Sequence, residues 1–256
     1  MDDAQTLLVD IAHCPVADAI RTGGSKSSPC QRIVSLQSGA LFQLPEPWSG
    51  QIDTAPILFI SSNPSIDNLE MYPDQSWSAA QTTDFFHNRF TSPAGWVKDG
   101  LYALRRNGTR TPWVRFWASA RARASEVLDK DKNEIVPGID FAITDAVHCK
   151  SRKEEGVKEA QEFCSNRYLK SVLVISPAKV FIVYGRVAKD ALCRHFGSSL
   201  SDLPHHLGVC RIGDHSRIIA FLPAPNARGV EKSLRANVGD AGLSLIRKHL
   251  SQPEHS

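Results

Sequence analysis

The chain has 256 residues, of which 42% are hydrophobic and 22% charged, and its formal net charge at pH 7 is +3. This composition is typical of a soluble globular protein, and such a small net charge does not by itself indicate a nucleic-acid-binding protein. No apolar run approaches the roughly 20 residues that a membrane-spanning helix needs, and the acidic N-terminus lacks the features of a secretion signal, so we expect a cytoplasmic protein without membrane association.

Four short apolar segments, each bounded by turn residues, are predicted as buried parallel strands. In chain order they are residues 56–61, 139–147, 179–184 and 217–222. Helical spacing of apolar residues predicts helices over 158–175, 186–196 and about 231–250. Because strands alternate with helices, we expect an α/β fold with a parallel sheet that is covered by helices on both faces.

Two polar loops follow predicted strands, at the sheet edge where ligands bind in such folds. The first loop is residues 62–65 (SNPS), and the second loop is residues 222–229 (LPAPNARG). Taken alone, Asn63 before a proline is either a turn residue or a carboxamide that binds a ligand or positions a water. The second loop is stiffened by two prolines, and it is either an ordinary connection or a rigid element that contacts a phosphate or a groove.

Basic and aromatic residues alternate between Arg105 and Arg123, a segment that also contains Trp113, Phe116 and Trp117. One interpretation is a surface for phosphate contact and base stacking. The other is an amphipathic helix with a solvated arginine face and an aromatic core face. The aromatic stretch 68–110 is likewise either a wall for a flat ligand or a peripheral small core.

The order of these features resembles the sequence motifs of the uracil-DNA glycosylase superfamily. SSNPS (residues 61–65) matches the motif after the first strand, and LPAPNAR (222–228) matches the one after the last strand, most closely its mismatch-specific thymine/uracil form. In the middle of the chain, TDAVHCK (144–150) and PAKVFIVYG (177–185) are similar to the iron–sulfur branch. The resemblance covers about residues 44–228.

This resemblance implies a three-layer α/β/α sandwich around a short, mainly parallel four-stranded sheet. It implies one domain over residues 1–256, in which residues 1–50 form an N-terminal extension. It also implies a monofunctional DNA glycosylase of base excision repair, which flips a deaminated or damaged base such as uracil out of DNA and hydrolyses its N-glycosidic bond. We therefore expect a monomer in the cytoplasm, associated with the nucleoid, whose partner is DNA containing a damaged base.

The resemblance also implies roles for single residues at matching positions. Asn63 would position the attacking water, and Asp145 would read the edge of the base together with Ser62. A phenylalanine downstream of the first loop would stack on the base, and Phe86 is our choice with Phe85 in reserve. The implied DNA contacts belong to the two loops: Ser65, Pro225, Asn226 and Arg228.

Two positions depart from the family pattern. Leu222 occupies a position where many members have a histidine that stabilises the leaving base, although the mismatch-specific thymine/uracil enzymes also lack it. Asp145 occupies the position of an asparagine that reads uracil. Since an ionised carboxylate only accepts hydrogen bonds, Asp145 fits either a protonated carboxyl in a dry pocket or a base that offers more donors.

Four of the six cysteines, Cys14, Cys30, Cys149 and Cys164, lie where the iron–sulfur branch carries its cluster ligands. The resemblance implies a [4Fe-4S] cluster, in which Cys30 replaces the missing member of an N-terminal Cys-x-x-Cys pair. Zinc or unliganded thiols are the alternatives, and no other cofactor is expected. A cluster here would act as a structural clamp on the N-terminal segment.

Two other functions remain open at this point. A non-catalytic module of the same fold would recognise a lesion or bind DNA without cleavage, and the departures at Leu222 and Asp145 favour it. A hydrolase of free nucleosides or nucleotides would also use a site for a flat ligand.

Overall fold

The computed structural model describes residues 3–25, 27–37, 42–203 and 206–252. Outside the described part lie residues 1–2, 26, 38–41, 204–205 and 253–256. The predicted domain, 1–256, includes all of them, and the predicted N-terminal extension, 1–50, includes those before residue 42. The helices of the described part are α1 (Asp3–Ala12), α2 (Pro15–Arg21), α3 (Gln31–Ser35), α4 (Ala79–Asn88), α5 (Arg115–Leu128), α6 (Val157–Cys164), α7 (Lys170–Ile175), α8 (Gly185–Phe196) and α9 (Leu234–Ser251).

Some helix boundaries have clear local causes. A capping box between Ser78 and Gln81 starts α4. One π turn, Ser165–Leu169, joins α6 to α7, so the predicted helix 158–175 is one continuous helical segment. A kink at Gly239 divides α9. Among the helices that the structure describes, none is long and apolar enough to cross a membrane.

The strands are β1 (Trp48–Ser49), β2 (Ile57–Ser61), β3 (Val97–Lys98), β4 (Tyr102–Ala103), β5 (Ala142–Asp145), β6 (Val180–Tyr184), β7 (Ser201–Leu203), β8 (Leu207–Ile212) and β9 (His215–Leu222). Seven of the described strands form one sheet in the order β1-β5-β2-β6-β9-β8-β7, and β3 pairs with β4 separately. The pairs β5-β2, β2-β6 and β6-β9 are parallel, whereas β1, β8 and β7 join by antiparallel pairing.

The α/β class is confirmed, but the predicted number of strands is wrong. The four predicted strands are the parallel centre of the sheet, and three antiparallel strands extend it at its two edges. β1 has only two residues, too few to give a hydrophobic pattern. β8 and β9 form a hairpin whose turn has Gly213 at φ 59°, a conformation that glycine adopts without strain.

Alternate residues of the central strands belong to two separate cores, because successive side chains of a strand point to opposite faces. Leu58 and Ile60 belong to the core that helices α1–α4 and α6–α8 cover. Ile57 and Phe59 belong to the core that α5 and α9 cover. Helices therefore cover both faces of the sheet. The polar side chains of Ser61 and Asp145 lie at the carboxyl ends of β2 and β5.

The N-terminal helices pack into the first of these cores rather than standing apart from it. Leu8 and Ile11 of α1 and Ile33 of α3 are almost fully buried there. Gly156, which precedes α6, approaches the α3 backbone so closely that an added Cβ would lie 2.6 Å from the nitrogen of Ile33. This contact ties α3 to the loop that leads from β5 into α6.

Candidate active-site cleft

A cleft opens at the carboxyl ends of β2, β5 and β6, and its volume is about 790 Å³. This volume lies within the range of small-molecule sites, roughly 300–1,000 Å³. The first loop lines one side through Ser62, Asn63 and Ser65, and the second loop lines the cleft through Pro225 and Asn226. The two predicted site loops therefore face the same open space.

Arg228 is the member of the predicted DNA-contact set that does not line the cleft. It lies on the surface, exposed, just beyond the part of the second loop that does. Ser65 and Asn226 are also exposed, at the rim. The structure thus brings three of the four predicted contact residues to the cleft and leaves Arg228 outside it.

The Asn63 side chain is oriented by its surroundings. Its Nδ2 donates to the Ser151 hydroxyl at 3.0 Å and to the Pro64 carbonyl at 2.9 Å, with a longer contact of 3.5 Å to the Cys149 carbonyl. The carboxamide oxygen is thereby left as the group that can accept a hydrogen bond from a water in the cleft. The carboxamide is therefore held in one orientation.

Ser62 contacts a residue that the sequence analysis did not identify. Its hydroxyl donates to Glu154 Oε1 at 2.5 Å and lies 3.5 Å from Asn63 Oδ1. Glu154 itself lines the cleft. Since Ser62 and Glu154 are far apart in the chain, only the loop after β5 brings this carboxylate to the first loop.

Asp145 ends β5 and lies on the cleft wall, only 2% exposed. It is paired in register with Ser61 of β2, whose hydroxyl donates to the Asp145 carboxyl. Burial, reinforced by the negative charge of Glu46, raises the pKa of Asp145 to about 8. The carboxyl is therefore protonated at pH 7 and can both donate and accept hydrogen bonds.

The cleft floor carries a buried ion network, which we define as Glu46, Glu70, Arg89 and Lys150. Arg89 bridges the carboxylates of Glu46 at 2.7 Å and Glu70 at 2.5 Å, and Lys150 lies 3.1 Å from Glu70. Burial alone would raise the pKa of Glu46. The positive charges of Arg89 and Lys150 outweigh burial and lower this pKa to about 2. Two carboxylates and two cations therefore balance each other below the site.

One sequence feature indicates part of this network in retrospect. Glu46 lies between Leu44 and Trp48, which are both buried, so a charged residue in such an apolar stretch needs a buried partner. The partners themselves come from distant parts of the chain, and no local pattern identifies them.

Phe85 and Phe86, predicted to stack on a base, are not brought to the cleft. Both are fully buried in α4, where they pack edge-to-face against each other and against Tyr72. The helical periodicity of α4 turns them toward the core, so nearness to the first loop in sequence does not place them near it in space. Four other aromatic residues line the cleft: Trp113, Phe116, Trp117 and Tyr184.

Most arginines of the segment 105–123 are held by protein partners. Arg105, Arg106 and Arg110 form ion pairs with Asp67, Asp74 and Asp99. Arg121 donates to backbone carbonyls, and Arg123 pairs with Glu126. Arg115 lines the cleft beside Trp113, which is 58% exposed. The segment is therefore mostly structural, and its cleft-facing part is residues 111–117, which lead into the first turn of α5.

The four predicted ligand cysteines line one small cavity on the side of the first core. None of them forms a disulfide. Burial raises the pKa of the Cys149 thiol well above its usual value, and the neighbouring Cys164, Cys30 and Cys14 add to the shift. Burial likewise raises the pKa of Cys30 to about 11, so without a metal the thiols of Cys30 and Cys149 are protonated at pH 7.

The chemistry of the donor set suits an iron–sulfur cluster, because cysteine thiolates are the usual ligands of such clusters and four cysteines line this one cavity. Zinc also accepts four sulfur ligands. Within the described residues, no group of three or more His, Cys, Asp or Glu side chains is arranged to hold a metal ion.

The sequence matches no protein-family model. Among curated proteins, no significant match is found either. The interpretation of the cleft therefore depends on its own geometry and chemistry.

Proposed function

We propose that the protein is a monofunctional DNA glycosylase, which hydrolyses the N-glycosidic bond of a flipped-out deaminated or damaged base. One observation carries the proposal: Asn63, whose carboxamide is held by its Nδ2 contacts, and the buried Asp145, whose pKa is raised, line one cleft together with the second loop. A glycosylase needs a water on one side of the sugar and a reader of the base edge, in a pocket that excludes solvent.

In this mechanism Asn63 accepts a hydrogen bond from the water that attacks C1′. A carboxamide is a weak base, so it orients the water, and the reaction depends on a base that leaves readily. The fixed Nδ2 contacts to Ser151 and Pro64 hold the carboxamide in one orientation and reduce the entropy lost in reaching the reactive geometry.

Asp145 reads the base edge as a neutral acid. Its O–H donates to a carbonyl oxygen of the base and its carbonyl accepts from an imino N–H, which is the same pattern that an asparagine carboxamide offers. The raised pKa thus supports uracil, or another base with adjacent carbonyl and imino groups, as the substrate. The departure from asparagine at this position is then chemically conservative.

Phe116 replaces Phe86 and Phe85 as the proposed stacking residue. It lines the cleft and is half-buried, and its ring packs edge-to-face on Tyr184 with the centroids 5.5 Å apart. Stacking on an aromatic ring tolerates every base because each has a π-face. Ser65, Pro225 and Asn226 would contact the strand at the rim, and Arg228 would meet a phosphate farther out.

The four cysteines Cys14, Cys30, Cys149 and Cys164 would hold a [4Fe-4S] cluster. When bound, the group supplies thiolate–iron bonds that join separate segments, and no step of the proposed hydrolysis uses it. Cys14 and Cys30 directly precede α2 and α3, whereas Cys149 follows β5 and Cys164 ends α6. The cluster would therefore clamp the N-terminal helices to the strand end that carries Asp145.

The test is an excision assay on duplex oligonucleotides that contain uracil, hypoxanthine, xanthine or a thymine mismatch. We expect alkali-labile abasic sites from at least one of them, and a rate about 100-fold lower for Asn63→Ala, as for loss of a positioned catalytic group. The absence of product from every substrate, at large enzyme excess, would reject the proposal.

A non-catalytic DNA-binding module is the second candidate. Leu222 favours it, because this side chain is buried in the core under α9 and offers no group to the leaving base. Binding to a lesion-containing duplex in gel shifts, without abasic product, would identify this function.

A further inference from the structure

The loop between β5 and α6 carries a carboxylate that the roles assigned so far do not use. Within it, Lys153 and Glu154 adopt successive left-handed conformations, with φ of 52° and 59°. Left-handed backbone is sterically unfavourable for residues other than glycine. The result is that Glu154 lines the cleft beside the first loop although it is exposed to solvent.

The contacts of Ser62 define what this carboxylate can do. The single hydroxyl proton of Ser62 is donated to Glu154 Oε1, at 2.5 Å, so the oxygen retains only acceptor capacity. Asn63 Oδ1, at 3.5 Å from the same hydroxyl, is also an acceptor because its Nδ2 is held by Ser151. Two acceptors therefore lie side by side, and one water can donate a proton to each.

We propose that Glu154 receives, through the Ser62 hydroxyl, the proton that this water loses when it attacks C1′. The inference rests on the proposed glycosylase function and adds to it a base that Asn63 cannot supply. Carboxylates are stronger bases than carboxamides, and a negative charge close to the sugar also stabilises the cationic character of the transition state.

In this step the C1′–N bond breaks and its electron pair leaves with the base, while the C1′–O bond forms to the water. One water proton passes to Ser62 Oγ as the Ser62 proton passes to Glu154, and the second stays on the new hydroxyl of the abasic sugar. The base anion takes a proton from solvent, and Glu154 later returns its proton to solvent.

The test compares single-turnover excision rates with binding. We expect Glu154→Gln to lower the rate about 100-fold, as for loss of a general base, with unchanged affinity for a duplex carrying a tetrahydrofuran abasic-site analogue. Glu154→Asp, which keeps the carboxylate, should recover part of the rate. Glu162→Gln is the matched control, because Glu162 is exposed on α6 and does not line the cleft, and its rate should equal that of the wild type.

A double-mutant cycle examines whether the two residues act as a unit. Ser62→Ala should slow excision about as much as Glu154→Gln, and the double variant should be no slower than either, as expected for residues of one relay. The relay would be overturned if the fold-reductions in rate of the two single variants multiplied in the double variant, or if Glu154→Gln had the wild-type rate. Either result would leave the glycosylase function standing. A wild-type protein that excises no base would instead overturn the function, and the relay with it.

Discussion

Ser61 and Asp145 lie opposite each other at the ends of two neighbouring parallel strands, and the Ser61 hydroxyl donates to the Asp145 carboxyl. This pair fixes the orientation of the Asp145 carboxyl, which is itself only 2% exposed. Because burial raises the pKa of Asp145 to about 8, small changes of pH above neutrality change its hydrogen-bonding role.

Excision should therefore depend on pH through Asp145. Above about pH 8 the carboxyl ionises and can no longer donate to a base carbonyl, so the single-turnover rate of the wild type should fall. Asp145→Asn should show no fall in that range. If the excision rates of the wild type and of Asp145→Asn fell with the same midpoint pH, the ionisation would belong to another group.

The same residue should affect stability, measured by thermal unfolding at several pH values. The pKa of Asp145 rises from 3.8 to about 8 on folding, so the folded state binds more protons between these values. The stabilising contribution is complete below about pH 4 and is lost as the pH rises through 8. Asp145→Asn should thus unfold several degrees above the wild type at pH 8, with a smaller difference at pH 5.

Replacing Arg89 should be far more destabilising than replacing an exposed arginine. Arg89→Met leaves the buried carboxylates of Glu46 and Glu70 without their shared cation, and loss of one member of a buried pair costs about 3–5 kcal/mol. Arg110→Met breaks an exposed pair with Asp99 and should cost about 0–1 kcal/mol. Urea unfolding measures the loss in the free energy of unfolding for both variants. Equal losses would mean that Arg89 in the buried network stabilises the fold no more than Arg110 in its exposed pair.

The revised stacking assignment predicts opposite effects for two phenylalanines. Phe116→Leu should lower excision about 5- to 150-fold, since a base–aromatic stack is worth about 1–3 kcal/mol, and should leave the melting temperature close to that of the wild type. Phe86→Ala should cost about 3–5 kcal/mol of stability because it empties a fully buried site. If Phe86→Leu instead abolished excision in a well-folded protein, the original assignment would be right.

A cluster should be visible in anaerobically purified protein as a broad absorption in the visible range, with about four irons per chain expected for a cubane. Cys149→Ser should remove both signals. Cys210→Ala is the control, because Cys210 is buried in contact with Ser199 and lies away from the four-cysteine cavity. Zinc without iron in the wild type would point to the alternative metal.

The central strands and the two loops were predictable because their signals are local. Each central strand is an apolar run that ends in turn residues, and the loops follow directly, so the edge on which they meet follows from parallel pairing. The hairpin β8–β9 was missed although Gly213 and Asp214 form a two-residue turn between apolar segments.

The missed parts of the site depend on contacts between distant residues. Phe86 lies near the first loop in sequence, yet α4 turns it into the core. Glu154 reaches Ser62 only because the backbone before Gly156 takes left-handed conformations, which no residue pattern there predicts. The pKa of Asp145 likewise depends on burial and on Glu46, which a sequence alone does not reveal.

The close contact between Gly156 and α3 limits how far the chain can be shortened from its N-terminus. Its Cα faces the backbone of Ile33, and Arg32 of the same short helix holds Glu155 and Glu159 by ion pairs. A truncated protein that starts after residue 42 would lose this brace, and the segment bearing Glu154 would be free to swing away from the cleft. The first helices therefore support the loop that carries Glu154 at the cleft, and a stable shortened chain should keep them.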